Sequence, residues 1–186
     1  MFLRSVNRPG EAEAMTEAVQ ATEAALANLV ALEDIRRLKH RYLRCVDLKL
    51  WDDLADTFTP DATATYGTPA MGQPLNLSGR DEIVGFMRKN LGPDIITEHF
   101  AAQPEIDVDG DTATGTWCFE DTVIATAYRF VIKGSAFYED RYERGPDGRW
   151  RIAHTGYTRT YEMTLSLDDL PSLKFTANRW ADASAR

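Results

Sequence analysis

The sequence predicts an α+β fold, with helices first and then an antiparallel sheet that curves against one helical face. Two observations carry this reading. Apolar residues at steps of three and four run through the first third, as Leu26, Leu29, Val30, Leu32, Ile35, Leu38, Tyr42, Cys45 and Val46, which is the spacing of one helix face. From Ile95 onward, long alternating segments are separated by Asp109-Gly110-Asp111 and Gly145-Pro146-Asp147-Gly148, which read as tight turns between strands.

Residues 1–14 are expected to form a flexible tail. A domain spanning 15–161 follows, with 15–31 as a helical extension rich in Ala and Glu, both good helix formers. The stripe then predicts one long helix or two stacked ones. Trp51 to Phe58 reads as a short second helix, ended at Thr59-Pro60 because proline disfavours helix in the residue before it. Residues 62–66 form a strand candidate, and 67–79, rich in Gly and Pro, a loop or irregular hairpin. Arg80 to Leu91 is helical, stopped by Gly92-Pro93. Strands are expected at 95–108, bent near Gln103-Pro104, and at 112–126, 128–143 and 149–161. Residues 162–186 carry Leu165, Leu167, Leu170, Leu173, Phe175 and Trp180, too apolar for a solvated tail. They are expected to cover the mouth of the domain or to pack on another subunit.

Composition narrows the function. The 186 residues are 44% hydrophobic, enough for a buried core. A net charge of −8 disfavours nucleic acid, whose phosphates need clustered Lys and Arg. No apolar run approaches a membrane span, and the N-terminus lacks the apolar run of a signal peptide, so a cytoplasmic protein is expected. Cys45 and Cys118 form no Cys-x-x-Cys pair, and His40, His99 and His154 show no metal-ligand spacing. No zinc site is expected.

Tyr42, Asp47, Tyr66, His99 and Asp121 are polar groups set in otherwise apolar elements. Two phenols, two carboxylates and an imidazole can hold a carbonyl and move protons beside it. Each also has a plain structural alternative: core phenols with wet hydroxyls, a helix-end or strand-end carboxylate, a hydrogen-bonded core histidine.

An ordered set of fragments carries a resemblance. Arg-Tyr-x-x-x-x-Asp (41–47) precedes Trp51-Asp52-x-Leu54. Phe58-Thr59-Pro60-Asp61-Ala62, Gly79-Arg80-Asp81-Glu82-Ile83 and Glu98-His99-Phe100 follow. Then come Gly115-Thr116-Trp117, Glu120-Asp121, Tyr138-x-x-x-Tyr142 and Asp147-Gly148-Arg149-Trp150-Arg151-Ile152. Over roughly Leu32 to Arg159 this resembles the SnoaL-like branch of the nuclear-transport-factor-2-like superfamily, nearest to the scytalone dehydratase and bile acid 7α-dehydratase types. The resemblance implies a cone-shaped α+β barrel, a curved antiparallel sheet wrapped around long N-terminal helices (cystatin-like), with an apolar cavity. It also implies work without metal or cofactor on hydrophobic ring substrates, and assembly as homodimers or trimers through the open sheet face.

On that resemblance Tyr42, Asp47 and His99 match the Tyr, Asp and His of the bile acid dehydratase site, and Tyr66 matches a tyrosine of both types. Asp121 is expected to be a further acid–base group, with strand register deciding between it and Glu120. Trp117, Phe119, Glu120 and Tyr138 join Tyr66 as expected substrate-binding residues. The scytalone type also has a second histidine after Trp117, absent here, which favours a steroid-like substrate over a scytalone-like one.

His99 would take and return the proton, Asp47 would orient it, and the tyrosines would polarise a carbonyl. The expected activity is that of a cofactor-independent lyase or isomerase, foremost a dehydratase, on an oxygenated steroid- or polyketide-like ring. A non-catalytic subunit like the β-subunit of ring-hydroxylating dioxygenases, and a small-ligand binder, are the alternatives.

Overall fold

The computed structural model describes residues 9–67, 72 and 74–181. Helix α1 (Pro9–Leu48) is followed by α2 (Trp51–Ala55), β1 (Phe58–Gly67), β2 (Leu75–Ser78), α3 (Arg80–Asn90), β3 (Ile95–Asp109), β4 (Thr112–Ala125), β5 (Phe130–Arg144) and β6 (Trp150–Ser166). The strands form one curved sheet in the order β2-β1-β6-β5-β4-β3. β1 and β6 run parallel, and the other neighbouring pairs are antiparallel.

The predicted helical stripe is one continuous helix. Ala31, Ile35, Leu38, Tyr42, Cys45 and Val46 bury one face of α1 against the sheet, whereas residues 10–30 are exposed. Of the expected tail at 1–14, residues 9–14 are instead helical, because Glu11, Ala12, Glu13 and Ala14 are good helix formers continuous with the extension, and residues 1–8 lie outside the described residues.

The C-terminus of α1 closes with a reversal that places a site residue. The Leu50 N–H donates to the Cys45 carbonyl at 2.9 Å and the Lys49 N–H to the Val46 carbonyl at 3.1 Å. Lys49 adopts a left-handed φ of 58°, the pairing of a Schellman cap. The position normally favours glycine. Here the Lys49 ammonium donates to the Ile95 carbonyl at 2.9 Å and tethers the helix end to β3.

Two strand expectations hold and one needs correction. Within 67–79, residues 75–78 form a strand that pairs with β1. β3 is kinked where predicted: its register slips between Ala102 and Glu105, and Gln103 takes a φ of 52°. β6 runs past the expected end at 161 to Ser166, because Glu162 to Ser166 pair with Gly134 to Phe130 of β5. The expectation failed at a bulge. Ala136 pairs with Arg159 but Ser135 with Tyr161, leaving one extra residue that breaks the alternation. Beyond β6, Leu167 is buried, Leu170, Leu173 and Phe175 are exposed, and Trp180 lies 5.1 Å from the Lys49 ammonium at the end of α1.

Helix and sheet are locked by a wholly buried ion pair. Lys39 Nζ of α1 is 2.7 Å from Asp140 Oδ2 of β5, both side chains at 0% exposure. Asp140 also accepts from Tyr142 Oη and Thr155 Oγ1, each at 2.7 Å, and Trp117 Nε1 donates to Tyr142 Oη at 2.9 Å. The ammonium sits 3.3 Å from the centre of the Tyr138 ring. Burial pushes the lysine below its ordinary pKa, and Asp140 opposes that shift. Removing one partner strands the other charge. Lys39→Met should therefore cost about 3–5 kcal/mol of stability, whereas Lys39→Met with Asp140→Leu should recover most of the loss. Urea denaturation of the two variants checks this.

Candidate active site

A cavity of about 210 Å³ opens between α1, α3 and the inner face of the sheet. Tyr42 and Val46 come from α1, Phe86, Met87 and Leu91 from α3 and its end, and Tyr66, Thr97, His99, Asp121, Tyr138, Tyr157 and Arg159 from the strands. Alternation explains the strand set: on β4 the odd-numbered residues face inward, so Asp121 is buried and Glu120 exposed.

Asp47, in the last turn of α1, reaches β3 with both carboxylate oxygens. Oδ1 accepts from His99 Nδ1 at 2.6 Å and from Thr97 Oγ1 at 2.8 Å, and Oδ2 accepts from the His99 backbone N–H at 3.0 Å. An ionised carboxylate only accepts, so Nδ1 carries the proton and Nε2 is the basic nitrogen. Residues 42 and 47 lie about 140° apart beyond a full turn on an ideal helix. They serve one cavity because α1 ends immediately after Asp47, and its side chain bends across the helix end to β3.

Phenols gather at the inner end. Tyr42 Oη and Tyr66 Oη are 3.4 Å apart. Tyr42 meets Tyr138 edge-on, and Tyr138 in turn meets Tyr157 edge-on. Burial raises the pKa of Tyr42, Tyr66 and Tyr138 well above the ordinary phenol value; neighbouring phenols add to the shift, although for Tyr42 the hydrogen bond with Tyr66 opposes it. These hydroxyls stay protonated and are donors.

Asp121 faces the cavity opposite His99 in the β3–β4 register, but it is no open acid–base group. Arg159 Nη1 and Nη2 donate to its two oxygens at 2.6 and 2.7 Å. Arg159 Nε lies 3.3 Å from Glu162 Oε2. In a regular strand residues 159 and 162 face opposite ways; the β6 bulge brings both inside. Burial opposes the charge of Arg159, but the bonds to Asp121 outweigh it and hold the guanidinium above its ordinary pKa. An added Cβ on Gly134 would lie 2.7 Å from Arg159 Nη1 and 2.9 Å from the Tyr161 carbonyl.

The expected substrate-binding set divides. Tyr66 and Tyr138 line the cavity. Phe119 is buried one layer behind, its ring stacked 4.2 Å from Tyr138 and 5.6 Å from the Arg159 guanidinium. Trp117 is further from the cavity, bonded to Tyr142 in the core, and Glu120 points outward, so neither binds there. His154 faces Thr63 on the outer side at 2.8 Å. Sequence reasoning passed over Arg159, Tyr157 and Thr97. The available signal was the inward series 157 and 159 ahead of the bulge. Among the described residues, no group of three His, Cys, Asp or Glu side chains is placed to hold a metal ion, and no helix is long and apolar enough to cross a membrane.

Residues 27–156 match the SnoaL-like domain, and the chain belongs to the SnoaL-like family. It is 32% identical over 134 residues to the uncharacterized proteins Mb2934c of Mycobacterium bovis and Rv2910c of Mycobacterium tuberculosis, covering 71% of this chain and 87% of each relative. Among solved structures it is similar to the hexachlorocyclohexane dehydrochlorinase LinA-type3 from Novosphingobium barchaimii (20% identity, TM-score 0.67, 82% of this chain and 99% of that one). It is also similar to a scytalone-dehydratase-like protein from Novosphingobium aromaticivorans (21%, TM-score 0.64, 73% and 88%). At these identities the likeness is one of fold.

The tyrosine shifts set an alkaline limit. A phenol whose folded pKa lies above its unfolded value stabilises the fold fully below that unfolded value and loses the contribution as pH rises toward the folded one. Stability should fall above about pH 10, and the tyrosinate absorbance of Tyr42, Tyr66 and Tyr138 should emerge only with unfolding. A spectrophotometric pH titration beside circular dichroism measures both.

Proposed function

We propose that this chain is a cofactor-independent acid–base lyase acting on a compact, oxygenated ring. The observation that carries the reading is the Asp47–His99 pair at 2.6 Å on the wall of a cavity whose inner end bears protonated phenols. His99 Nε2 removes a proton from the carbon beside a carbonyl. Tyr42 and Tyr66 donate to the carbonyl oxygen as it gains charge. Asp47 supports the imidazolium, which then protonates the leaving hydroxyl on the neighbouring carbon. One C–H and one C–O bond break, a C=C bond forms and water departs. Without a leaving group the same imidazolium would return the proton elsewhere and shift a double bond.

Asp121 acts in this scheme as the counterion that holds Arg159 on the wall. The Arg159 cation, flanked by Asp121 and Glu162, stands in a surplus of negative charge, which favours a neutral substrate. Size favours a small one. The cavity of about 210 Å³ is smaller than the roughly 300–1,000 Å³ of pockets for drug-sized ligands, which suits one or two rings better than a four-ring steroid.

The test is deuterium wash-in from heavy water next to the carbonyl of small cyclic β-hydroxyketones, followed by NMR together with product formation. His99→Ala and Asp47→Asn should each lower the rate by about 10²-fold or more, and Tyr42→Phe by about 10²-fold. Variants that stay folded and keep wild-type exchange would refute the mechanism. Ligands that bind but return without label or change would mark a binding protein instead.

A further inference from the structure

The first half of α1 carries a feature unconnected with the cavity. Met15, Val19, Leu26 and Leu29, with Thr22 between them, follow one another at alternating steps of four and three, and the four apolar side chains are each more than half exposed. This is the spacing of a two-stranded coiled-coil seam. Val30 widens it and is also more than half exposed. A solvated helical stretch of this length is marginal alone, and residues 10–30 are exposed all round.

Charge along α1 is segregated. From residue 9 to 35 the helix carries Glu11, Glu13, Glu17, Glu23, Glu33 and Asp34 and no Lys or Arg, whereas 36–46 carries Arg36, Arg37, Lys39, Arg41 and Arg44 and no acid. Lys39 is buried on Asp140 and Arg41 is bonded to Asp53 and Asp56, which leaves Arg36, Arg37 and Arg44 exposed. Two such helices side by side in parallel would stack acid on acid. Antiparallel, each acidic half lies toward the basic segment of the other.

We infer that the α1 extension is a homodimerisation arm that pairs antiparallel with the same stretch of a second copy. Layering the seam residues puts Val19 level with Leu29 and Thr22 level with Leu26 of the other chain. The same register puts Glu11 level with Arg37. At 100° per residue, the seam lies on the opposite side of α1 from Ala31, Ile35, Leu38 and Tyr42, which bury against the sheet. The two bodies therefore sit on the outer sides of the helix pair and do not collide.

Sedimentation equilibrium of the full chain tests the arm. The wild type should be a dimer, and Leu26→Glu with Leu29→Glu should raise the dissociation constant at least 100-fold while leaving thermal unfolding of the body unchanged. Orientation is read by a nitroxide on Ala12→Cys in a Cys45→Ala, Cys118→Ala background. Antiparallel pairing sets residue 12 level with 36, so the two labels stand about 36 Å apart along the axis at 1.5 Å per residue. A monomeric wild type, a dimer indifferent to the double glutamate substitution, or labels in near contact would each overturn the proposal.

Discussion

The structure turns on the fit of one helix to one sheet, and the Lys39–Asp140 pair fixes that fit. An ion pair with no solvent exposure is weak evidence of stability, since desolvation opposes its attraction. It is exacting about geometry, because the ammonium and carboxylate must meet or both are stranded. Asp140 is saturated by Lys39, Tyr142 and Thr155, so α1 cannot slide along the strands without breaking several bonds at once. The ammonium lies against the Tyr138 ring, and Tyr138 in turn contacts Tyr42, Tyr157 and Phe119. The placement of the phenols at the inner end thus depends on a charge below them.

A second attachment lies at the end of the same helix. Asp47 binds a backbone N–H, a hydroxyl and an imidazole on β3, and Lys49 binds the Ile95 carbonyl where that strand begins. Between Lys39 and Lys49 the helix is held at both ends of its cavity-facing stretch. The imidazole is therefore set by tertiary structure rather than by a flexible loop, the preorganisation that the proposed proton transfer would need.

Much of this was legible from the order of residues. The amphipathic stripe, the strand succession, the kink at Gln103 and the likeness to the SnoaL-like family all follow from periodicity, turn chemistry and ordered fragments. Tyr42, Asp47 and His99 were legible as candidates because polar groups in apolar elements need partners. Arg159 was passed over although 157 and 159 alternate inward ahead of the bulge; what the bulge in β6 hides is Glu162 beyond it, whose inward facing reverses the alternation. The choice between Glu120 and Asp121 needed the register of β4 against β5. Lys39 was hidden for another reason: a lysine on a helix bearing five basic residues between 36 and 44 looks like a solvated one until the sheet is laid over it.

The close approach at Gly134 reaches beyond its strand. The volume a methyl group would fill there is held by Arg159 and the Tyr161 carbonyl, so a larger residue must displace the guanidinium beside Asp121, the backbone of β6, or both. A shift of the guanidinium would loosen the pairing of the Asp121 carboxylate, which lies opposite His99. An absent side chain on β5 therefore governs the electrostatic balance of the chamber. On the proposed function, retuning the chamber between charged and uncharged guests would start at that vacancy.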